Sequence, residues 1–223
     1  MATAQRRKQA QGQNLSLKGS VKMVAEFFDY SVNSILYQRG VYPPEDFKMV
    51  KKYGLTLFTS ADESLERYIH TVMKQVQTWL LAGKLDSLAL IIMNRDTRET
   101  VERWQFDIQV EDDQSQTGKE NSAPDGSTTA ARPEKTPEQI QQDIQDIMRQ
   151  ITSSVTFLPA LQDKYVFTIL TYAKKDTEVP KEWIDSDPHM IIGNAEQVKL
   201  RSFSTNRHKV QGLVAYRLGS DLL

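Results

Sequence analysis

The chain has 223 residues, 39% apolar and 26% charged, with a formal net charge of -1, a profile of a soluble globular protein with enough material for a core. That near-neutral balance supplies no global field to hold nucleic acid or an anionic membrane, and the absence of cysteine excludes disulfides, thiolate metal sites and a Cys nucleophile. One domain is expected, because no Gly/Pro-rich linker separates two segments that each bury a core.

Residues 1–14 carry Arg6-Arg7-Lys8 with no apolar run behind them, so they are expected to form a disordered arm rather than a signal peptide or a membrane span. From Leu17 to Tyr37, Val21, Val24, Ala25, Phe28, Val32, Ile35 and Leu36 fall at helical spacing, with Gly40 as a stop. Pro43-Pro44 forbids continuation, and Lys51 to Thr59 reads as a short strand pair around Tyr53-Gly54-Leu55-Thr56-Leu57-Phe58. Ser60-Ala61-Asp62-Glu63 fits a capping box opening a second helix, whose stripe is Leu65, Tyr68, Ile69, Val72, Met73, Val76, Trp79 and Leu80, ended by Gly83.

Leu88 to Met93 is a continuous apolar run, expected to be a central strand covered on both faces. Thr100 to Val110 alternates Trp104, Phe106, Ile108 and Val110 against Arg103, Gln105, Asp107 and Gln109, as a hairpin partner does. Residues 111–135 turn to Ser, Thr, Gln, Gly, Pro and acidic residues with little to bury and read as a disordered insertion. Thr136-Pro137-Glu138-Gln139 then caps a third helix with a buried face of Ile140, Ile144, Ile147, Met148, Ile151 and Val155, closed by Pro159. Lys164 to Tyr172 is apolar on both faces and reads as a strand.

The last stretch, Val179 to Leu223, holds strands and turns but no helix, so it must lie across something else. Alternation from Val198 to Ser204 sets Val198, Leu200 and Ser202 against Lys199, Arg201 and Phe203. A second run, Leu213 to Tyr216, completes a hairpin whose connection, read as roughly eight residues, is longer than a tight turn and expected to be mobile. Between Gln197 and Gly219 stand five Lys or Arg and no Asp or Glu, so the surface under this tail is not strongly basic.

Catalytic motifs are missing from this layout. The three histidines, His70, His189 and His208, have no second His or carboxylate at ligand spacing, and no phosphate loop, dinucleotide fingerprint, nucleophile elbow or HExxH pattern is present. No metal, cofactor or enzymatic activity is expected; a small hydrolase would need one of those histidines to complete a Ser/His/acid arrangement.

Several stretches taken together resemble the HORMA-domain family. They are Asn33-Ser34-Ile35-Leu36-Tyr37-Gln38-Arg39-Gly40 with Tyr42-Pro43, Lys52-Tyr53-Gly54-Leu55-Thr56-Leu57, Glu102-Arg103-Trp104-Gln105-Phe106-Asp107-Ile108, Arg149-Gln150-Ile151-Thr152 with Thr156-Phe157-Leu158-Pro159, and Leu200-Arg201-Ser202-Phe203 with His208-Lys209-Val210. The likeness runs from about Leu15 to Tyr216 and is strongest to the spindle-checkpoint (mitotic arrest deficient, Mad) branch. The N-terminal arm and the 111–135 insertion depart from the pattern.

The resemblance implies an α+β fold: a single HORMA domain over 15–223, with three helices packed on a mainly antiparallel three-stranded sheet, extended by a mobile C-terminal safety-belt hairpin within 174–223. In that family the belt occupies one sheet edge in an open state and the opposite edge in a closed one, and a short peptide joins the vacated edge as an added strand. Carried onto this chain, Tyr165, Val166, Phe167, Thr168, Ile169, Leu170 and Tyr172 form the receiving edge, while the Thr100 to Val110 strand takes the belt on closure. Trp183, Leu200, Arg201, Phe203, His208, Val214 and Tyr216 belong to the belt. Arg149, Gln150 and Phe157, with Arg39 and Arg201 nearby, carry an open–closed self-dimer.

The implied role is non-enzymatic and inhibitory, delaying anaphase from the nucleus, kinetochore and cytoplasm. Implied partners are the activator of the anaphase-promoting complex, a coiled-coil Mad protein anchored at kinetochores, and a Bub-related protein in the inhibitory complex. A HORMA adaptor acting with an AAA-type ATPase remodeller would reopen the closed form, gripping residues 1–13. The alternative within the fold is a HORMA adaptor of a translesion DNA polymerase.

Overall fold

Three amphipathic helices turn their apolar stripes onto one face of an antiparallel sheet. The computed structural model describes residues 15–111 and 135–218; the expected N-terminal arm and almost all of the expected insertion lie outside them. In chain order the elements are α1 (Leu17–Gln38), β1 (Phe47–Lys52), β2 (Leu55–Ser60), α2 (Glu63–Leu81), β3 (Leu85–Asn94), β4 (Thr100–Val110), α3 (Pro137–Ser153), β5 (Tyr165–Ala173), β6 (Ala195–Ser204) and β7 (His208–Arg217).

Local chemistry explains most boundaries. The Ser16 side chain accepts from Gly19 N–H at the start of α1, and at α3 both halves of the capping box form between Thr136 and Gln139. The start of α2 differs from expectation: Asp62 is the cap, accepting from Leu65 N–H at 2.7 Å. Ser60 belongs to β2, where its N–H donates to Asn33 Oδ1 at 2.8 Å and its hydroxyl accepts from Asp62 N–H. A cap must leave the preceding strand before it can face the helix amides, and Ser60 is still paired to Phe47. Tyr53 and Gly54, at φ 51° and 69°, form the two-residue turn of the β1–β2 hairpin.

The main sheet has five strands in the order β5-β3-β4-β7-β6, and every pairing in it is antiparallel. The expected three-stranded sheet is its first part, and the tail hairpin supplies β7 and β6. Leu88, Leu90 and Ile92 of β3 face the helices with Trp104, Phe106 and Ile108 of β4. Ala89, Ile91 and Met93 form a second apolar cluster with Val166, Leu170 and Tyr172 of β5 on the other face. The α3 stripe of Ile140, Ile144, Ile147, Met148 and Ile151 is buried, each side chain contributing about 1.5–3 kcal/mol by leaving water. Val155, expected on that stripe, lies beyond the last turn and is exposed.

Two expectations about the tail are corrected. Leu200 and Phe203 both point inward, because a bulge between Lys199 and Ser202 sets two residues of β6 against one of β7 and reverses the alternation. Gly212 makes room for the bulge, since a Cβ there would lie 2.9 Å from Leu200 Cδ1. The hairpin connection is no long mobile loop either: β6 and β7 extend until only 205–207 join them. Thr205 N–H donates to the His208 carbonyl at 2.9 Å, and His208 N–H donates to Thr205 Oγ1 at 3.0 Å.

Candidate functional site

β5 pairs with β3 along one side only, and its other side has no strand neighbour among the described residues. An unpaired edge presents a row of backbone donors and acceptors to any extended chain. Of the residues expected to receive a strand, Tyr165, Phe167 and Ile169 face the helices, where Phe167 meets Tyr42 and Tyr68 edge-to-face at 6.0 and 5.8 Å. Val166, Leu170 and Tyr172 face the other way, and Thr168 alternates with them. Only Ile169 is fully buried; the rest are half-buried.

The chain leaves β5 at Ala173, opposite Leu85 at the start of β3. It enters β6 at Ala195, opposite Arg217, at the far end of the sheet. Residues 174–194 therefore cross the sheet from end to end without strand pairing. Trp183 packs edge-to-face on Trp79 of α2 at 5.0 Å, and Trp79 Nε1 donates to the Glu178 carbonyl at 3.2 Å. A groove of about 350 Å³ remains between this segment and β5, lined by Ile169, Leu170, Tyr172, Thr177, Trp183 and Ile184 among others.

The hairpin is seated on the opposite side of the sheet. β7 pairs with β4 from Glu102–Tyr216 to Val110–His208, the pairing that the resemblance assigns to the closed state. Phe203 meets Phe27 of α1 at 4.9 Å, Val214 is fully buried opposite Trp104, and the Tyr216 hydroxyl donates to Glu196 at 2.8 Å. Leu200, at 9% exposure, joins the same core. At the tip, His208 Nδ1 lies 2.6 Å from Ser20 Oγ, which is 2.5 Å from Thr205 Oγ1. Burial lowers the pKa of His208, opposed by the Leu80 carbonyl and Glu111. This Ser–His contact is sealed at 0% and 1% exposure, so no substrate reaches it. Both flanks of the expected insertion also clasp the tip: Glu111 N–H donates to the Arg207 carbonyl, and Asn206 exchanges two 3.0 Å bonds with the Lys135 backbone.

The residues expected at the self-dimer contact divide. Arg149 is exposed and sits 3.4 Å from Asp146, and Phe157 is exposed beyond the end of α3. Gln150 Oε1 accepts from Arg201 N–H at 2.7 Å, at the bulge of β6, while Arg201 Nη1 pairs with Asp146 at 2.7 Å. Arg39 is the correction. Its side chain is 4% exposed and paired with Glu102 at 2.5 Å; it also donates to the Pro159 carbonyl, and Trp104 Nε1 donates to Glu102 at 3.1 Å. A guanidinium so enclosed ties α1 to β4 and cannot meet another molecule. The resemblance placed it near the self-dimer contact, and a carboxylate partner 63 residues away leaves no local signal of its burial. Among the described residues no three His, Asp or Glu side chains converge to hold a metal ion, and no helix is long and apolar enough to cross a membrane.

A family model described as the HORMA domain matches residues 20–208. The mitotic spindle checkpoint component mad2 of Schizosaccharomyces pombe is 47% identical over 205 residues, covering 92% of this chain and 95% of that protein. The human mitotic spindle assembly checkpoint protein MAD2A is 44% identical over 206 residues, 92% of this chain and 94% of its own length. Among solved structures, a chain in the crystal structure of the mitotic checkpoint complex superposes with a TM-score of 0.76 at 44% identity, over 90% of this chain and 99% of that one.

Proposed function

The chain belongs to the HORMA-domain family, and from that premise we propose that it acts in the spindle assembly checkpoint by catching a short peptide as an added strand on β5. The observation that carries this reading is a β5 edge with no strand partner among the described residues, beneath a crossing segment, with the C-terminal hairpin already seated on β4. Backbone groups on the edge supply affinity, and the groove lined by Tyr172, Trp183 and Ile184 selects side chains. The activity is capture rather than turnover, in keeping with the sealed Ser20–His208 contact.

The peptides come from the activator of the anaphase-promoting complex and from a coiled-coil Mad partner at the kinetochore, so capture delays anaphase. A Bub-related protein completes the inhibitory complex, and the closed chain recruits an open copy through α3. A HORMA adaptor with an AAA-type ATPase returns closed protein to the open form. The chain works at the kinetochore and in the nucleus and cytoplasm.

Pulldown with the full chain from mitotic extract tests the reading, beside a chain lacking Val210 to Leu223. The full chain is expected to recover the activator; the truncated one, without most of β7, loses it while keeping its helices by circular dichroism. Equal recovery by both chains, or recovery of a DNA polymerase partner instead, overturns the proposal.

A further inference from the structure

Arg103 is a cation at 7% exposure with no carboxylate partner among the described residues. Buried charges are ordinarily paired, so its neighbours matter. Nη1 donates to the Pro188 carbonyl of the crossing segment at 2.9 Å, and Nη2 donates to Gln105 Oε1 and to the Tyr172 hydroxyl of β5, both at 2.9 Å. The guanidinium carbon stands 5.5 Å from the Tyr172 ring centroid. One planar group therefore joins β4, the strand expected to receive the peptide, and the segment that passes over it. A lysine ammonium, a point charge on a flexible stem, does not match that spread of acceptors.

The segment around Pro188 is shaped for this contact. Asp187 Oδ1 accepts from His189 N–H at 2.7 Å, and His189 adopts φ 49°, which fixes the backbone on either side of Pro188. Proline has no N–H, so its carbonyl is the one backbone group it can offer. Little else fastens this stretch. Ile184, Met190 and Ile192 are 86%, 59% and 86% exposed, so apolar burial contributes little there. Among the described residues, the Pro188 carbonyl makes the one hydrogen bond from residues 184–193 to the sheet.

We propose that Arg103 is the clasp that holds the crossing segment shut over a peptide on β5. The inference rests on the proposed peptide capture and names a positioning residue that acts through the segment rather than by touching the peptide. A clasp made after the peptide is in place sets how slowly the peptide leaves, whereas entry depends on the open edge.

The test uses the full chain and a fluorescein-labelled peptide selected against it from a library of short random peptides, with association and chase dissociation followed by anisotropy. Arg103→Gln is expected to raise the dissociation rate by about tenfold to a hundredfold, the range for losing hydrogen bonds to a charged group, with association within about twofold of the parent. Tyr172→Phe is expected to give a smaller rise, and the double variant to match Arg103→Gln, because both remove one shared contact. Arg103→Lys is expected to fall between Gln and parent. A parent chain that captures no peptide overturns the proposed capture itself. A parent that captures, with Arg103→Gln releasing at the parent's rate, overturns the clasp alone, as does a variant whose association falls in step with its folded fraction. Where Arg103→Gln does not fold, Tyr172→Phe decides: release at the parent's rate overturns the clasp.

Discussion

At the scale of single residues, charge burial separates stability from switching. Arg39 and Glu102, with side chains 4% and 2% exposed, satisfy one another and draw in Trp104 and the Pro159 carbonyl. Removing one member of such a pair strands the other in a medium that cannot solvate it. Arg39→Ala is expected to cost about 3–5 kcal/mol of folding stability, read as a lower denaturation midpoint in urea. His208 acts differently, because it is held neutral. Its ring meets Ser20 Oγ, and burial depresses its pKa below the ordinary 6.5, outweighing the raising effects of the Leu80 carbonyl and of Glu111. An unfolded or displaced hairpin tip binds the proton more readily, so the closed form has its full stability above about pH 6.5 and loses it as pH falls toward the depressed value. Thermal midpoints from pH 8 to 5 should fall more steeply for the parent than for His208→Gln; parallel curves would assign the acid sensitivity elsewhere.

At the scale of elements, α3 reads the position of the hairpin. Arg149 and Phe157 belong to α3 and the turn after it, but Gln150 and Asp146 hold β6 at Arg201, and β6 reaches α3 here through its pairing with β7 on β4. Arg149→Ala is expected to weaken self-association in sedimentation by about tenfold, the loss of one Arg anchor, with peptide affinity unchanged. Gln150→Ala is expected to weaken both, since it also frees an amide at the bulge; a Gln150→Ala chain with parental peptide affinity would confine Gln150 to the dimer. The same pair of elements marks what is legible in the sequence. The Thr136–Gln139 cap and the bounds of β4 follow from neighbours within a few residues, and both appear as read. The inward turn of Phe203 and the burial of Arg39 do not, because a bulge is defined by the strand opposite and a salt bridge by a partner far along the chain. The belt residues and the receiving edge were readable only through resemblance to a family. Arg103 carried no signal of its own beyond its place on the polar side of an alternating strand.

For the molecule as a whole, closure and opening cannot be small adjustments. Moving the hairpin off β4 breaks its pairing from Glu102 to Val110 and draws Leu200, Phe203, Val210, Val214 and Tyr216 out of the core. At about 1.5–3 kcal/mol for each apolar side chain exposed, the transient loss is on the order of 10 kcal/mol before any new pairing offsets it. Exchange between the two packings is therefore expected to be slow, even though a switch requires end states within a few kcal/mol of each other. The β5 edge needs no such rearrangement, since its outer groups already face the groove. Hydrogen exchange followed by mass spectrometry should show the β4 and β7 amides protected to the level of the β3 core, and β5 exchanging sooner, with added peptide slowing β5 far more than β7. Protection of β7 that rises with peptide as much as that of β5 would mean the hairpin closes only on ligand, so that the free chain samples the open packing on the time scale of the labelling.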